Sequence, residues 1–577
     1  MFGDFGIEVF YGYLLPASIT AMFVAIVYLV LRFTGSRFER LYAYLLEDDG
    51  RRLSRLAFVV FAGVFLFGFS WIIIHRYSPV LNESDAGTMN QALYSATHGH
   101  LFSDSMMYTA NGIYKFKSSY YYGSIIATNL YFVPLCVISW VYLLWPESPM
   151  QILIPYVLVM LVGGASFYFV ARMVTGRRAT AAYLLMLYAL LPQMHLLSLV
   201  TKGAFDIYSG PFLLWALFFL YRRNFLWFAS FAVPAFFVSI FPQYITIVLA
   251  LGGYWLYREK KYLFLAVVLT ALNLATYATF DAARFCMSTM TESTAHRLAD
   301  YVLVDNQELA IRLLRESFSM ATFIIYICPL LIFAFFRNRF SMVLLAALAP
   351  VCVMTALRDG NIASHHNADV LIILLFLYAV YLKDGFSEKI QKIQAGRLAA
   401  AQLAVFFAVP FFIVTLSANK YAAFMMNRQL YGVVTVTPRF KYNHSMDGGF
   451  REVRKAVNRV IPKDASLCVL TELGNEAIFS NRHSIWFINE VKTPACQFYV
   501  LQNDIDVFNN PYYNGNNIPV ASLSKIWGND LYAIYRNSNP EDIPYPHWVM
   551  GFNYLQNFRR TECPNNAQSI LPRLANP

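Results

Sequence analysis

A chain of 577 residues that is 58% hydrophobic and only 14% charged, with mean hydropathy +0.46, falls outside the range of ordinary soluble domains. Its apolar residues lie in nearly charge-free blocks of roughly 17–25, the length that crosses a bilayer core. Cationic cytoplasmic loops then account for the net charge of +11, which does not point to nucleic acid.

The basic loops set a topology. Arg32, Arg37, Arg40, Arg51, Arg52 and Arg55 place the segment after the first apolar block in the cytoplasm, and the N-terminus outside. That block, 11–33, is too long for a signal-peptide core and has no basic lead-in, so it reads as a transmembrane helix. Arg177/Arg178, Arg222/Arg223, Arg258/Lys260/Lys261, Arg337/Arg339 and the stretch 384–397 mark further cytoplasmic loops. Alternation between them predicts twelve crossings: 11–33, 56–75, 151–173, 178–194, 206–221, 224–240, 244–257, 261–280, 319–336, 340–357, 366–383 and 398–417. The apolar stretch 121–145 is one too many, and is expected to lie along or re-enter the membrane. Irregular backbone at that depth is tolerated only where it is buried in protein or lines a cavity. The segment 76–145 is therefore the expected wall of an active site.

Hydropathy falls after Asn419. Residues 451–459 (REVRKAVNR) have amphipathic helical spacing, and short apolar runs at 465–471, 484–488 and 498–501 read as buried strands. The tract 509–517, rich in Asn, Tyr and Gly, reads as a surface loop. The expected organisation is an N-terminal helix and cytoplasmic loop (1–55), a transmembrane domain (56–418) and a soluble extracytoplasmic α/β domain (419–577). The fold class is a polytopic α-helical membrane protein of about 12–13 transmembrane helices, with both termini outside the cytoplasm. Cys136, Cys286, Cys328 and Cys352 read as packing residues; Cys468, Cys496 and Cys563 allow one disulfide whose pairing the spacing does not decide.

Polar residues at membrane-facing loop ends are the informative ones, because burying them is costly. Glu83 and Asp85 stand two apart just beyond a crossing, as a general base and its partner would; the competing reading is that Ser84 or Asp85 caps a helix starting at Ala86. Lys115 and Lys117, flanked by aromatics, would hold a lipid phosphate or else snorkel to the interface. Lys202 and Asp206 lie in the next external loop, and Arg358, His365 and His366 in the last. All three loops open on one side. Adjacent histidines on a helix face different ways, and no metal-ligand spacing is present. Mixed charges at helical spacing over 307–317 read as a solvated face.

The run Asp85, Gly87, Gln91, Ala92, Leu93, Tyr94 and Gly99 resembles a motif of the GT-C superfamily, membrane glycosyltransferases that use polyprenyl-phosphate-linked sugars, and is most similar to a prokaryotic branch of it. Phe205-Asp206 opening a helix, His365/His366 followed by Ala368, and, in the tail, Pro462-Lys463-Asp464-Ala465-Ser466, Ser480-Asn481-Arg482 and Tyr499-Val500 also resemble that branch. Departures are Ile207-Tyr208-Ser209-Gly210 where the branch has Phe-His-Pro-Glu, the loss of a Lys-Glu-Asp triplet near Pro242-Gln243-Tyr244, and the loss of a His-Phe-Ser-Pro in the first loop.

The resemblance implies glycosyl transfer at the outer face of the inner membrane, with Asp85 as general base. Lys117, Lys202, Arg358 or a histidine would stabilise the departing phosphate. The partners it implies are membrane lipid, a polyprenyl-phosphate sugar donor, and an acceptor glycan, lipid or protein. No cofactor is implied beyond the lipid-linked donor; superfamily members differ in metal use, and nothing in the sequence supports a divalent metal. Two other classes compete. A non-catalytic scaffold or assembly subunit of a membrane complex fits the departures. A flippase or transporter fits less well, because ionisable residues are nearly absent from the central apolar blocks and no internal repeat is present.

Overall fold

The computed structural model describes residues 51–63, 84–98, 103–104, 115–116, 119–120, 123–124, 132–144, 150–189, 205–284, 339–358, 368–389, 446–469, 485–487, 495–503, 518–530 and 532–541, with residues 25, 29 and 482. The predicted crossings 319–336 and 398–417, nearly all of 11–33, the stretch 307–317, the tract 509–517 and Cys563 lie outside them. The chain divides into two compact units. One takes in residues 1–71, 156–270 and 300–440; the other 72–155, 271–299 and 441–577.

The first unit is built of helices: α1 (Arg51–Ala62), then, after two helices of the other unit, those of the apolar blocks. In chain order α2 is Ser84–Thr97, α3 Phe132–Leu144, α4 Met150–Thr175, α5 Arg178–Ala189, α6 Ser209–Tyr221, α7 Phe225–Phe236, α8 Ile240–Tyr257, α9 Lys260–Arg284, α10 Arg339–Arg358 and α11 Ala368–Lys389. A 3-10 turn, Phe205–Tyr208, leads into α6. Among the described residues one stretch, Val157–Thr175 of α4, is long and apolar enough to cross a membrane. The predicted crossing 206–221 is realised as that turn followed by a 13-residue helix. Such a helix is about 20 Å long, short of the ~30 Å hydrocarbon core.

The helices are apolar on their outer faces as well as their inner ones. Leu158, Val162, Phe169 and Met173 of α4 are exposed, as are Phe264 and Val267 of α9 and Leu56 and Val59 of α1. Large exposed apolar faces suit a lipid solvent and not water. Polar groups between the helices find partners inside: Tyr168 donates to Ser54 Oγ at 3.0 Å, and Trp215 Nε1 to Ser166 Oγ at 3.2 Å. Close packing is set by small residues. A Cβ on Gly252 of α8 would lie 2.1 Å from Val343 Cγ1 of α10, and one on Gly164 of α4 would run into the Phe61 ring of α1.

In the second unit, α2 is followed by two pairs of two-residue strands. Antiparallel β1 (Ser103–Asp104) joins β4 (Gly123–Ser124), and β2 (Lys115–Phe116) joins β3 (Ser119–Tyr120). The predicted membrane-associated stretch 121–145 contains α3, 13 residues long.

The C-terminal part pairs one helix with one sheet. Strands β5 (Leu467–Val469), β6 (Ile485–Phe487), β7 (Phe498–Gln502), β8 (Leu523–Gly528) and β9 (Tyr532–Asn537) form a sheet in the order β6-β5-β7-β9-β8. β5 is parallel to β6 and β7, and β9 is antiparallel to β7 and β8. Helix α12 (Met446–Val460) lays Val453, Ala456 and Val457 on the sheet against Leu467, Ile485, Val500 and Ile534. Their i, i+3, i+4 spacing is the stripe that the sequence predicts. Cys468 of β5 is bonded to Cys496, just before β7. The hairpin β8–β9 has no counterpart among the predicted elements.

Two predictions follow from packing. Gly252→Ala drives a Cβ into the stiff β-branched Val343, so it should destabilise the helical unit by about 1–3 kcal/mol, seen as earlier thermal unfolding in detergent. The disulfide closes a loop with a sequence separation of 28, so the pair Cys468→Ala/Cys496→Ala should lose about 3 kcal/mol in the sheet domain, read by denaturant unfolding.

Candidate functional site

The helix that carries the Asp85 motif is anchored from its C-terminal end. Asp85 lies in the first turn of α2, where the helix dipole favours negative charge. Further along, the motif residues Gln91, Leu93 and Tyr94 are buried, as are Asn90 and Ser95. The imidazole of His98 stacks on the Tyr94 ring at 4.1 Å, and His98 Nδ1 lies 2.8 Å from the Tyr94 carbonyl oxygen. Thr97 also donates to that carbonyl, at 2.8 Å, so the exposed helix end is closed by its own side chains.

The same ring receives a cation from far along the chain. Lys463 Nζ sits 5.6 Å from the Tyr94 centroid, within cation–π range. Lys463 is held there by Arg482, whose guanidinium is fully buried at the end of α12. Arg482 donates to the carbonyls of Val457 (3.1 Å) and Ile461 (2.9 Å) and to that of Pro462. A cation at a helix C-terminus meets both the orphan carbonyls and the negative end of the dipole. Three of the sequence segments that resemble the GT-C branch therefore meet: the Asp85 helix, Pro462-Lys463 and Arg482. Two other tail residues of that resemblance, Ser466 and Tyr499, brace the sheet. Ser466 Oγ accepts from Gln497 N at 2.8 Å, and the Tyr499 hydroxyl accepts from Cys496 N at 3.2 Å.

A second polar junction lies in the other unit. The Ser209 hydroxyl, at the start of α6, donates to the carboxylate of Asp369, in the first turn of α11; both side chains are buried. Gly210 lets the two helices approach, since a Cβ there would lie 3.1 Å from Ile372 Cδ1. The junction joins the beginnings of two helices. One follows the turn that contains Asp206; the other follows His365 and His366 by a few residues. Sequence reasoning passed over Asp369. An ionisable residue inside the predicted crossing 366–383 was the signal that marks it.

The other candidate residues are distributed as follows. Lys115 is in β2, in the unit that holds Asp85, and Arg358 is the last residue of α10. Glu83, Lys117, Lys202, His365 and His366 lie outside the described residues. Among the described residues no group of three or more His, Cys, Asp or Glu is placed to hold a metal ion.

No family model matches the sequence, and no curated protein matches it. Among solved structures, the chain is similar to ArnT from Cupriavidus metallidurans bound to undecaprenyl phosphate: the TM-score is 0.42 and the identity 11%, covering 83% of this chain and 97% of that one. It is similar also to ArnT from the same organism in the apo state, with a TM-score of 0.40 and 10% identity, covering 82% and 97%. Neither likeness assigns a role to any residue here.

Two tests address these junctions. Arg482→Met removes three hydrogen bonds from buried carbonyls, two of which keep a backbone donor, and should cost about 3 kcal/mol in the sheet domain, measured by urea unfolding. In a double-mutant cycle, Ser209→Ala and Asp369→Asn should show a coupling energy of about 1.5–3 kcal/mol in the thermal stability of the detergent-solubilised protein.

Proposed function

We propose that the chain is an integral membrane glycosyltransferase that moves a sugar from a polyprenyl-phosphate-linked donor to an acceptor hydroxyl at the outer face of the membrane. The observation that carries this reading is the Asp85 motif on one helix, with the acid at its first turn and the motif tyrosine clamped from the C-terminal domain. The carrier lipid is of the chemical class found bound to ArnT. The buried Cys468–Cys496 disulfide supports an extracytoplasmic C-terminal domain, because disulfides persist in oxidising compartments.

In this mechanism the acceptor oxygen attacks the anomeric carbon as the bond from that carbon to the phosphate oxygen breaks. Asp85 takes the acceptor proton, and its charge favours the oxocarbenium character that develops on the sugar. The departing phosphate carries the negative charge away and needs cations, for which Lys115, Lys117, Lys202, Arg358, His365 and His366 are the candidates. Glu83 and Asp206 are the remaining carboxylates assigned to the site.

A second reading, a non-catalytic scaffold in a membrane complex, is favoured by one observation. Ile207, Tyr208, Ser209 and Gly210, which replace the Phe-His-Pro-Glu of the resembling branch, are all buried, and Ser209 spends its hydroxyl on Asp369.

Asp85→Asn separates the two. Under the enzyme reading, transfer of labelled sugar from a lipid-linked donor in membranes should fall by at least ~100-fold while expression and melting temperature stay unchanged. Unaltered glycan products from this variant would remove Asp85 as the base. If, in addition, the wild type transfers no sugar, the scaffold reading stands.

A further inference from the structure

The two turns that close α6–α7 and α8–α9 carry an unusual choice of residue. Arg223 and Arg258 both have φ of 57°, and they are the non-glycine residues with positive φ among those described. Arg258 is the left-handed cap of α8, its N–H donating to the Tyr254 carbonyl at 2.8 Å. That position favours glycine or asparagine, because a Cβ is crowded there. A cationic side chain in the same unfavourable backbone state on both turns points to a use for the charge.

The turns are neighbours. The Tyr257 hydroxyl, next to Arg258, donates to the Leu220 carbonyl of α6 at 2.6 Å, and the Arg223 guanidinium lies 4.9 Å from the centre of the Tyr257 ring. Around them Arg222 and Lys260 are exposed. The one acid in these turns, Glu259, is paired with Lys261 at 2.7 Å, so Arg222, Arg258 and Lys260 have no acidic partner among the described residues. About one helical turn from the cations, Leu226, Trp227, Trp255 and Phe264 are exposed. Arginines and lysines above exposed tryptophans and aliphatics match a phospholipid in both its parts, phosphate above and acyl chain below.

We propose that this end of the helical unit is a binding site for the headgroup phosphate of an anionic phospholipid, with Arg223 and Arg258 as its principal cations. The site shares no residue with those assigned to sugar transfer, and it stands whether or not that assignment does. The ammonium of Lys383, which donates to the Tyr221 hydroxyl at 2.8 Å, stands beside the α6 end of the same turn. It extends the cationic rim.

The test uses the full-length protein in nanodiscs and the variant R223N/R258N, since asparagine tolerates the left-handed backbone and keeps both turns. Binding of phosphatidylglycerol is read by native mass spectrometry and by the rise in melting temperature relative to phosphatidylcholine. Each cation near a membrane surface contributes about 1 kcal/mol, so losing two should weaken phosphatidylglycerol binding ~30-fold and erase most of the thermal gain. Unchanged melting in phosphatidylcholine verifies that the variant is folded; if it melts early there, R223K/R258K, which keeps the charge, should restore phosphatidylglycerol binding. The proposal is overturned if the asparagine variant binds phosphatidylglycerol as the wild type does, or if phosphatidylcholine protects equally. Protection by millimolar inorganic phosphate in phosphatidylcholine would overturn the lipid assignment in favour of a free-anion site.

Discussion

Helices that are apolar on both their inner and outer faces leave no solvent for a polar group, so a polar group inside is best placed against another inside. That constraint governs the helical unit. Tyr168 answers Ser54, Trp215 answers Ser166, and the carboxylate of Asp369 is answered by Ser209. Each pair links two helices that are not consecutive in the chain, so the pairs select which helices are neighbours. The close approach that makes them reachable comes from glycines at the crossings, which fixes the order of dependence: small residues bring backbones together, and polar pairs then specify the register.

In the C-terminal domain the same requirement is met by a full charge. Arg482 is buried and donates to three backbone carbonyls. It joins the end of α12 to the turn that enters β5, and so sets where Pro462 and Lys463 lie. Lys463 in turn reaches the Tyr94 ring. The chain of dependence runs from a helix cap, through a turn, to the helix that bears the proposed base.

Much of this was legible in the residues. The stripe Val453, Ala456, Val457 announces α12, and the apolar runs around Leu467, Ile485 and Val500 announce β5, β6 and β7, because a buried face imposes a local period. The β8–β9 hairpin escaped. Most of β8 is exposed or half-exposed, so no apolar alternation marks it, although the Gly528-Asn529-Asp530 turn signal was available. The Cys468–Cys496 pairing was not legible either, since it depends on how the segment before β7 lies against β5 and not on spacing. In the candidate site, Asp85 announces itself through its motif. The Lys463–Tyr94 contact has no local pattern at all, because its two halves are joined only by the fold.

That contact bears on how the protein is made. Lys463 is made 369 residues after Tyr94, so α2 completes its clamp only once the chain past residue 463 exists. An interrupted chain carries Asp85 on a helix that lacks its anchor. The end of α2 is thereby coupled to a segment that is made long after the helix itself.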